Sequence, residues 1–142
     1  MTFTIIALLR RRDDITPEQF RTHYETVHVE LLRSLVQKEF PLTYVRHYIS
    51  RPGGGSADAA PLLLKDLDNQ SAPTLLQGRP SDITFDVVTV MTWEDEEAHG
   101  RFAKIFALDH VAQKINDDEA NFLDRDNKLV FTVGKTSTTA PE

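Results

Sequence analysis

The chain has 142 residues, enough for one hydrophobic core and too few for two ordinary ones. It is 40% hydrophobic and 27% charged, the balance of a soluble globular protein, and no apolar run approaches the ~20 residues of a membrane span. A net charge of −6 argues against nucleic acid as a partner, and the lack of cysteine excludes disulfides, thiolate metal sites and a cysteine nucleophile.

Phe3, Ile5, Ala7 and Leu9 alternate with Thr4, Ile6 and Leu8, and a run apolar on both parities predicts a central strand covered on both faces. No positively charged leader precedes it, so a cytoplasmic protein is expected. Arg10-Arg11-Arg12 is followed at once by Asp13-Asp14 and marks a solvated strand end rather than a phosphate patch. A helix follows from Pro17 to about Lys38. Thr16 is its N-cap, Pro17 fits its first position, Gln19 completes a capping box, and Ile15 and Phe20 are spaced as a hydrophobic staple. At about 100° per residue, Phe20, Tyr24, Val27, Leu31 and Leu35 form one apolar stripe with His28 at its edge. Pro41 closes the helix, and Leu42 to Ser50 has the β-branched and aromatic content of a second strand.

Residues 52–82 read as an irregular insert, with Gly53-Gly54-Gly55 and prolines 52, 61, 73 and 80. A connection of that length is a lid, a binding loop or a disordered insert. Ile83 to Trp93 is the strongest strand signal. Glu94 to Glu97 supply the acidic first turn of a second helix, whose stripe is Ala98, Phe102, Ile105 and Phe106. After a break near Asp109 and His110, a third helix carries Val111, Ile115, Asp118 and Phe122 on one side, and Leu129 to Val133 is the last strand. The order β-α-β-β-α-(α)-β is the split βαβ, ferredoxin-like plan, an α+β class with a four-stranded antiparallel sheet and helices on one face. Residues 1–136 are read as a single domain and 137–142 as a polar tail. Strands apolar on both faces, with helices on one, need a partner for the other, and a homodimer is the simplest answer.

Tyr24 and His28, one turn apart, form the first candidate acid/base pair, since an imidazole titrates near neutrality and a phenol donates to a developing oxyanion. The structural alternative is a core histidine satisfied by the Tyr24 hydroxyl or a carbonyl, with Tyr24 an ordinary core aromatic. On the second strand His47 alternates with Val45 and Ile49, whereas Arg46 goes with Tyr44 and Tyr48. Either set lines a pocket, or His47 lies at the dimer face or rim. If His28 and His47 reach one cavity, they divide the acid and base roles. Asp86 is either buried and paired or wet, and its place near the strand end favours water. Asp118 shares the side of Ile115 and Phe122 and must be hydrogen-bonded, ion-paired or protonated, whereas Glu119, on the flank, reads as solvated. His23 and His28 point about 140° apart on an α-helix and do not make a metal pair. There is no glycine-rich phosphate motif between a strand and a helix, so no metal, nucleotide or flavin is expected.

Taken together, Thr16-Pro-Glu-Gln-Phe20, Tyr24-x-x-x-His28, Tyr44-Val-Arg-His-Tyr48, Phe85-Asp86-Val87-Val88 and Asp118-Glu119-x-x-Phe122-Leu123-Asp124 resemble the EthD domain, a branch of the dimeric α/β-barrel superfamily. The resemblance covers nearly all of the chain except the insert and the tail. It implies a ferredoxin-like protomer, a dimer whose two sheets pack face to face, and a pocket between sheet and helices. Many such proteins are similar to small cofactor-free enzymes of microbial, notably fungal, aromatic polyketide pathways, acting as decarboxylases, dehydratases or cyclases. In families of this kind the Asp118-Glu119 pair caps or braces the last helix. The combined expectation is a lyase of secondary metabolism without cofactor, acting on an aromatic or polyketide-derived substrate in an apolar pocket. Its catalytic candidates are His28, Tyr24 and His47. Its substrate-binding candidates are Tyr44, Arg46 and Tyr48 on the second strand, Phe85, Asp86 and Trp93 on the third, and Asp118. A cofactor-free monooxygenase, the chemistry of another superfamily branch, and a non-catalytic ligand-binding accessory protein are the alternatives.

Overall fold

The parity of the first strand sorts the whole sheet. In the computed structural model, which describes residues 1–51 and 72–142, β1 (Phe3–Leu9) buries Ile5, Ala7 and Leu9 while Ile6 and Leu8 face the other way. It pairs antiparallel with β3 (Val87–Trp93) on one side and β4 (Leu129–Thr132) on the other, and β2 (Thr43–Tyr48) pairs with β3. The resulting order β2-β3-β1-β4 is that of a ferredoxin-like four-stranded sheet. The expected first strand is indeed central. β3 starts four residues later than its hydropathy suggests, because Asp86 pins the chain there with its side chain and both backbone groups.

The first helical stretch begins where the capping signal places it. Thr16 Oγ1 accepts from the Gln19 amide at 3.0 Å, the Gln19 side chain accepts from the Thr16 amide at 2.9 Å, and Pro17 opens α1 (Pro17–His23). The chain then widens into a π-helical turn, Tyr24–His28, before α2 (Val29–Val36) and a 3-10 turn at Gln37–Glu39. An i→i+5 turn absorbs one extra residue and resets the phase of everything after it. The predicted stripe therefore slips. Phe20 and Tyr24 are buried as expected, but Val27 is 44% exposed, and Val29, Leu32 and Val36 point inward where Leu31 and Leu35 were expected to lead. Those two leucines are only partly buried.

The second half follows its pattern closely. Asp95 caps α3 (Glu96–Phe106) by accepting from the Ala98 amide, and α4 (Asp109–Glu119) starts after the expected break. Two apolar clusters join sheet and helices. One gathers Ile5, Leu32, Val36, Trp93, Phe102 and Ile115; the other gathers Leu9, Phe20, Tyr24, Val29, Val87 and Phe122. Each fully buried side chain of this size stabilises the fold by about 1.5–3 kcal/mol. The opposite sheet face holds Ile6, Leu8, Val88 and Val90 only half-buried, with Val45 and Phe131 exposed. Among the described residues no helix is long and apolar enough to cross a membrane. Of the expected lid, residues 52–71 lie outside the described residues, and Pro80–Asp82 forms a 3-10 turn.

Candidate active site

Between the two clusters lies a cavity of about 290 Å³ whose floor is β1 and β3 and whose roof is the first and third helical segments. Ile5, Ala7, Leu9, Met91 and Trp93 give it an apolar floor, interrupted by Thr89. The π-helical turn hangs Tyr24 and His28 over one end, and α3 supplies Phe102, Phe106 and His99 at the other.

His28 is 7% exposed and its Nδ1 lies 2.8 Å from Asp118 Oδ2. The second carboxylate oxygen, Oδ1, lies 2.8 Å from Nε2 of His23. An ionised carboxylate only accepts, so the facing nitrogens of both rings carry protons. That tautomer leaves His28 Nε2 with its lone pair, and among the described residues no group bonds to it. Aromatic rings fix the imidazole from the sides, Tyr24 edge-on at 5.5 Å and Phe122 at 5.0 Å. Burial pushes the His28 pKa below the ordinary histidine value, and the Asp118 hydrogen bond and charge offset only part of this. The resting group is a neutral imidazole facing the cavity.

Beside it the Tyr24 hydroxyl lies 2.8 Å from that of Tyr44 and 3.0 Å from Thr89 Oγ1. Three hydroxyl protons serve these two bonds, so one is left to donate to an oxygen in the cavity. Burial raises the pKa of both phenols, which keeps them donors. At the mouth Lys128 Nζ sits 3.2 Å from both Glu119 oxygens. The arrangement can move a proton at one nitrogen and meet a developing negative charge with a hydroxyl.

Of the residues singled out in the sequence, His28, Tyr24, Tyr44 and Trp93 line this cavity, and Asp118 stands behind His28. Others do not reach it. His47 pairs in register with Val88 and projects, exposed, from the opposite sheet face, so the two histidines do not share a pocket. Arg46 and Tyr48 are on the helix side but are engaged with Glu25, which clamps the π-helical turn to β2. Burial pushes the Glu25 carboxyl up, but Arg46 and Tyr48 outweigh it and hold it below its usual value. Asp86 is not wet: it is 8% exposed and bound by the Arg11 backbone and side chain and by Arg51. It lines, with Tyr48 and Arg21, a separate groove of about 190 Å³. Phe85 precedes β3 and borders neither space.

Several cavity or site residues were not foreseen. Thr89 had a readable signal, a hydroxyl in the middle of the most apolar strand on the parity of Val87 and Met91. Glu119 is 6% exposed and paired with Lys128, because the chain leaves α4 at that residue and turns the flank inward. His23 had no local signal: only a π-helical turn brings residues five apart to one carboxylate. Among the described residues no group of three His, Cys, Asp or Glu side chains is placed to hold a metal ion.

The molecule is thus a ferredoxin-like α+β protein with an ionisable, mainly apolar cavity between sheet and helices, and solved structures share that architecture. An EthD family protein from Bacillus halodurans superposes with a TM-score of 0.53 at 16% identity, over 96% of this chain and 100% of that one. A NIPSNAP-like domain protein from Burkholderia xenovorans gives 0.51 at 14%, over 99% and 90%. HapK from Hahella chejuensis gives 0.50 at 15%, over 99% and 100%. At such identities the likeness is one of fold. The EthD domain profile matches residues 12–126, and the chain belongs to the EthD domain family. No curated protein matches the sequence.

Proposed function

We propose that this protein is a cofactor-independent lyase acting on an aromatic or polyketide-derived carbonyl compound, with His28 as its general acid/base. The observation that carries this reading is a buried imidazole, held through Nδ1 by Asp118, whose unpartnered Nε2 belongs to a ring lining an apolar cavity. In a dehydration, Nε2 removes the proton beside the carbonyl and the electron pair moves onto the carbonyl oxygen, which takes a hydrogen bond from the Tyr44–Tyr24–Thr89 hydroxyls. The enolate then expels the hydroxyl, which leaves as water with the proton His28 has held. In a decarboxylation, His28 takes the proton of the acid, the pair left by carbon dioxide is received on the same oxygen, and the imidazolium returns its proton to carbon.

The assembly we propose is a homodimer in the cytoplasm, in which the half-buried apolar faces of two sheets, Ile6, Leu8, Val88 and Val90 on each, close against one another as a dimeric α/β barrel. The test of function is turnover of a panel of β-keto acids, hydroxylated aromatic acids and β-hydroxy ketones, read by mass spectrometry for loss of carbon dioxide or water. Turnover by the natural protein and its collapse in His28→Gln are expected. Binding of such compounds with no turnover would leave a ligand-binding protein, and consumption of oxygen would make it a monooxygenase; either result overturns the lyase.

A further inference from the structure

The carboxylate of Asp118 is shared between two imidazoles, and the sharing has a chemical effect on the one inside the cavity. His23 reaches Asp118 Oδ1 from the exposed side of the π-helical turn, at the same 2.8 Å at which His28 reaches Oδ2. The His23 ring lies over Phe122 at 4.6 Å, the ring that also flanks His28. We propose that His23 is a positioning residue for the proton transfer: it draws on the Asp118 charge and fixes that carboxylate, so that His28 stays a neutral base with its free nitrogen toward the substrate. This rests on the reading of His28 as the group that transfers the proton.

The physical argument is one of competition for a single negative charge. A carboxylate that accepts one N–H bond gives all its stabilisation to that ring when the ring becomes a cation. One that accepts a second N–H gives less, so the first ring is a weaker base. The other groups around His28 do not replace this effect. Within its own helical stretch the aromatic ring set against it is that of Tyr24, and that phenol is bonded to Tyr44 and Thr89. From α4 it is faced by Asp118 and Glu119, and the Glu119 charge is answered by Lys128 and by Arg125 at 3.7 Å. His99, from α3, lines the far end of the same cavity. Burial lowers the His28 pKa, and a smaller charge effect of His23 lowers it further.

Two variants separate donation from packing. His23→Phe keeps a ring over Phe122 and removes the donor; His23→Gln keeps an N–H of similar reach. The readout is the titration of the His28 ring followed by NMR on the full-length protein, which needs no substrate. The His28 midpoint should rise by about 0.5 pH in His23→Phe and stay close to the natural value in His23→Gln. An unchanged midpoint in His23→Phe, or the same rise in both variants, would overturn the proposal. Where turnover is measured, the acid limb of the kcat profile should move with the midpoint while KM holds. If the midpoint shifts and the limb does not, His23 tunes His28 but His28 does not carry the chemistry, so the two ideas fail separately.

Discussion

At the scale of single residues the proposed chemistry turns on which nitrogen of His28 holds the proton. Asp118→Asn keeps the shape but offers an amide in place of a pure acceptor. Turned so that its N–H faces Nδ1, it moves the imidazole proton to Nε2 and removes the base from the cavity. Its kcat should fall on the order of 10³- to 10⁴-fold, the size of a wrong-tautomer defect, with binding of an aromatic ligand retained. His28→Gln should fall by 10²- to 10⁴-fold for want of any proton-transferring group, and near-normal turnover in either variant would make the ring a packing group. The depressed His28 value also links stability to pH. The unfolded chain takes up this proton first, near its ordinary value of about 6.5, so the contribution is complete above that pH. It is lost as the pH falls from there toward the lower folded value. Urea midpoints should therefore drop between pH 7.5 and 5.5, and by less in His28→Gln; an equal drop in both proteins would contradict the burial argument.

At the scale of elements, the helix start is specified by a few short-range bonds. Thr16→Ala removes the hydroxyl that accepts from the Gln19 amide, and should lower stability by about 1 kcal/mol in a urea titration with the fold intact. This is also where sequence reading works best. Caps, strand parity and the break before α4 are local, and each was legible from a window of a few residues. The π-helical turn was not. Its extra residue is held by contacts from elsewhere, with Glu25 clamped by Arg46 and Tyr48 from β2, Tyr24 by Tyr44 and Thr89, and His28 by Asp118 across 90 residues of sequence. A 100° wheel drawn through it therefore exposed Val27 to the core on paper and hid the alliance of His23 with His28. The same limit explains His47. Alternation showed that it and Arg46 part company, but which face the helices cover is decided by the whole sheet.

At the scale of the whole molecule, the described residues leave the sheet face of Ile6, Leu8, Val88 and Val90 only half-buried, and a second copy should cover it. Light scattering at micromolar concentration should give about twice the 16.1 kDa chain mass, and Ile6→Lys, at the centre of that face, should give the single mass. A natural protein that scatters as a monomer would end that reading. A last consequence follows from Trp93, which forms part of the cavity wall and is the sole tryptophan of the chain. It donates from Nε1 to the Glu39 carbonyl at 3.3 Å and meets the rings of His99 and Phe102 within 5 Å. All of the indole emission of this protein therefore originates at the place where a ligand would dock. An unlabelled, unmutated sample carries its own optical gauge of occupancy, and collections of aromatic acids and ketones can be ranked by quenching before any product has been identified.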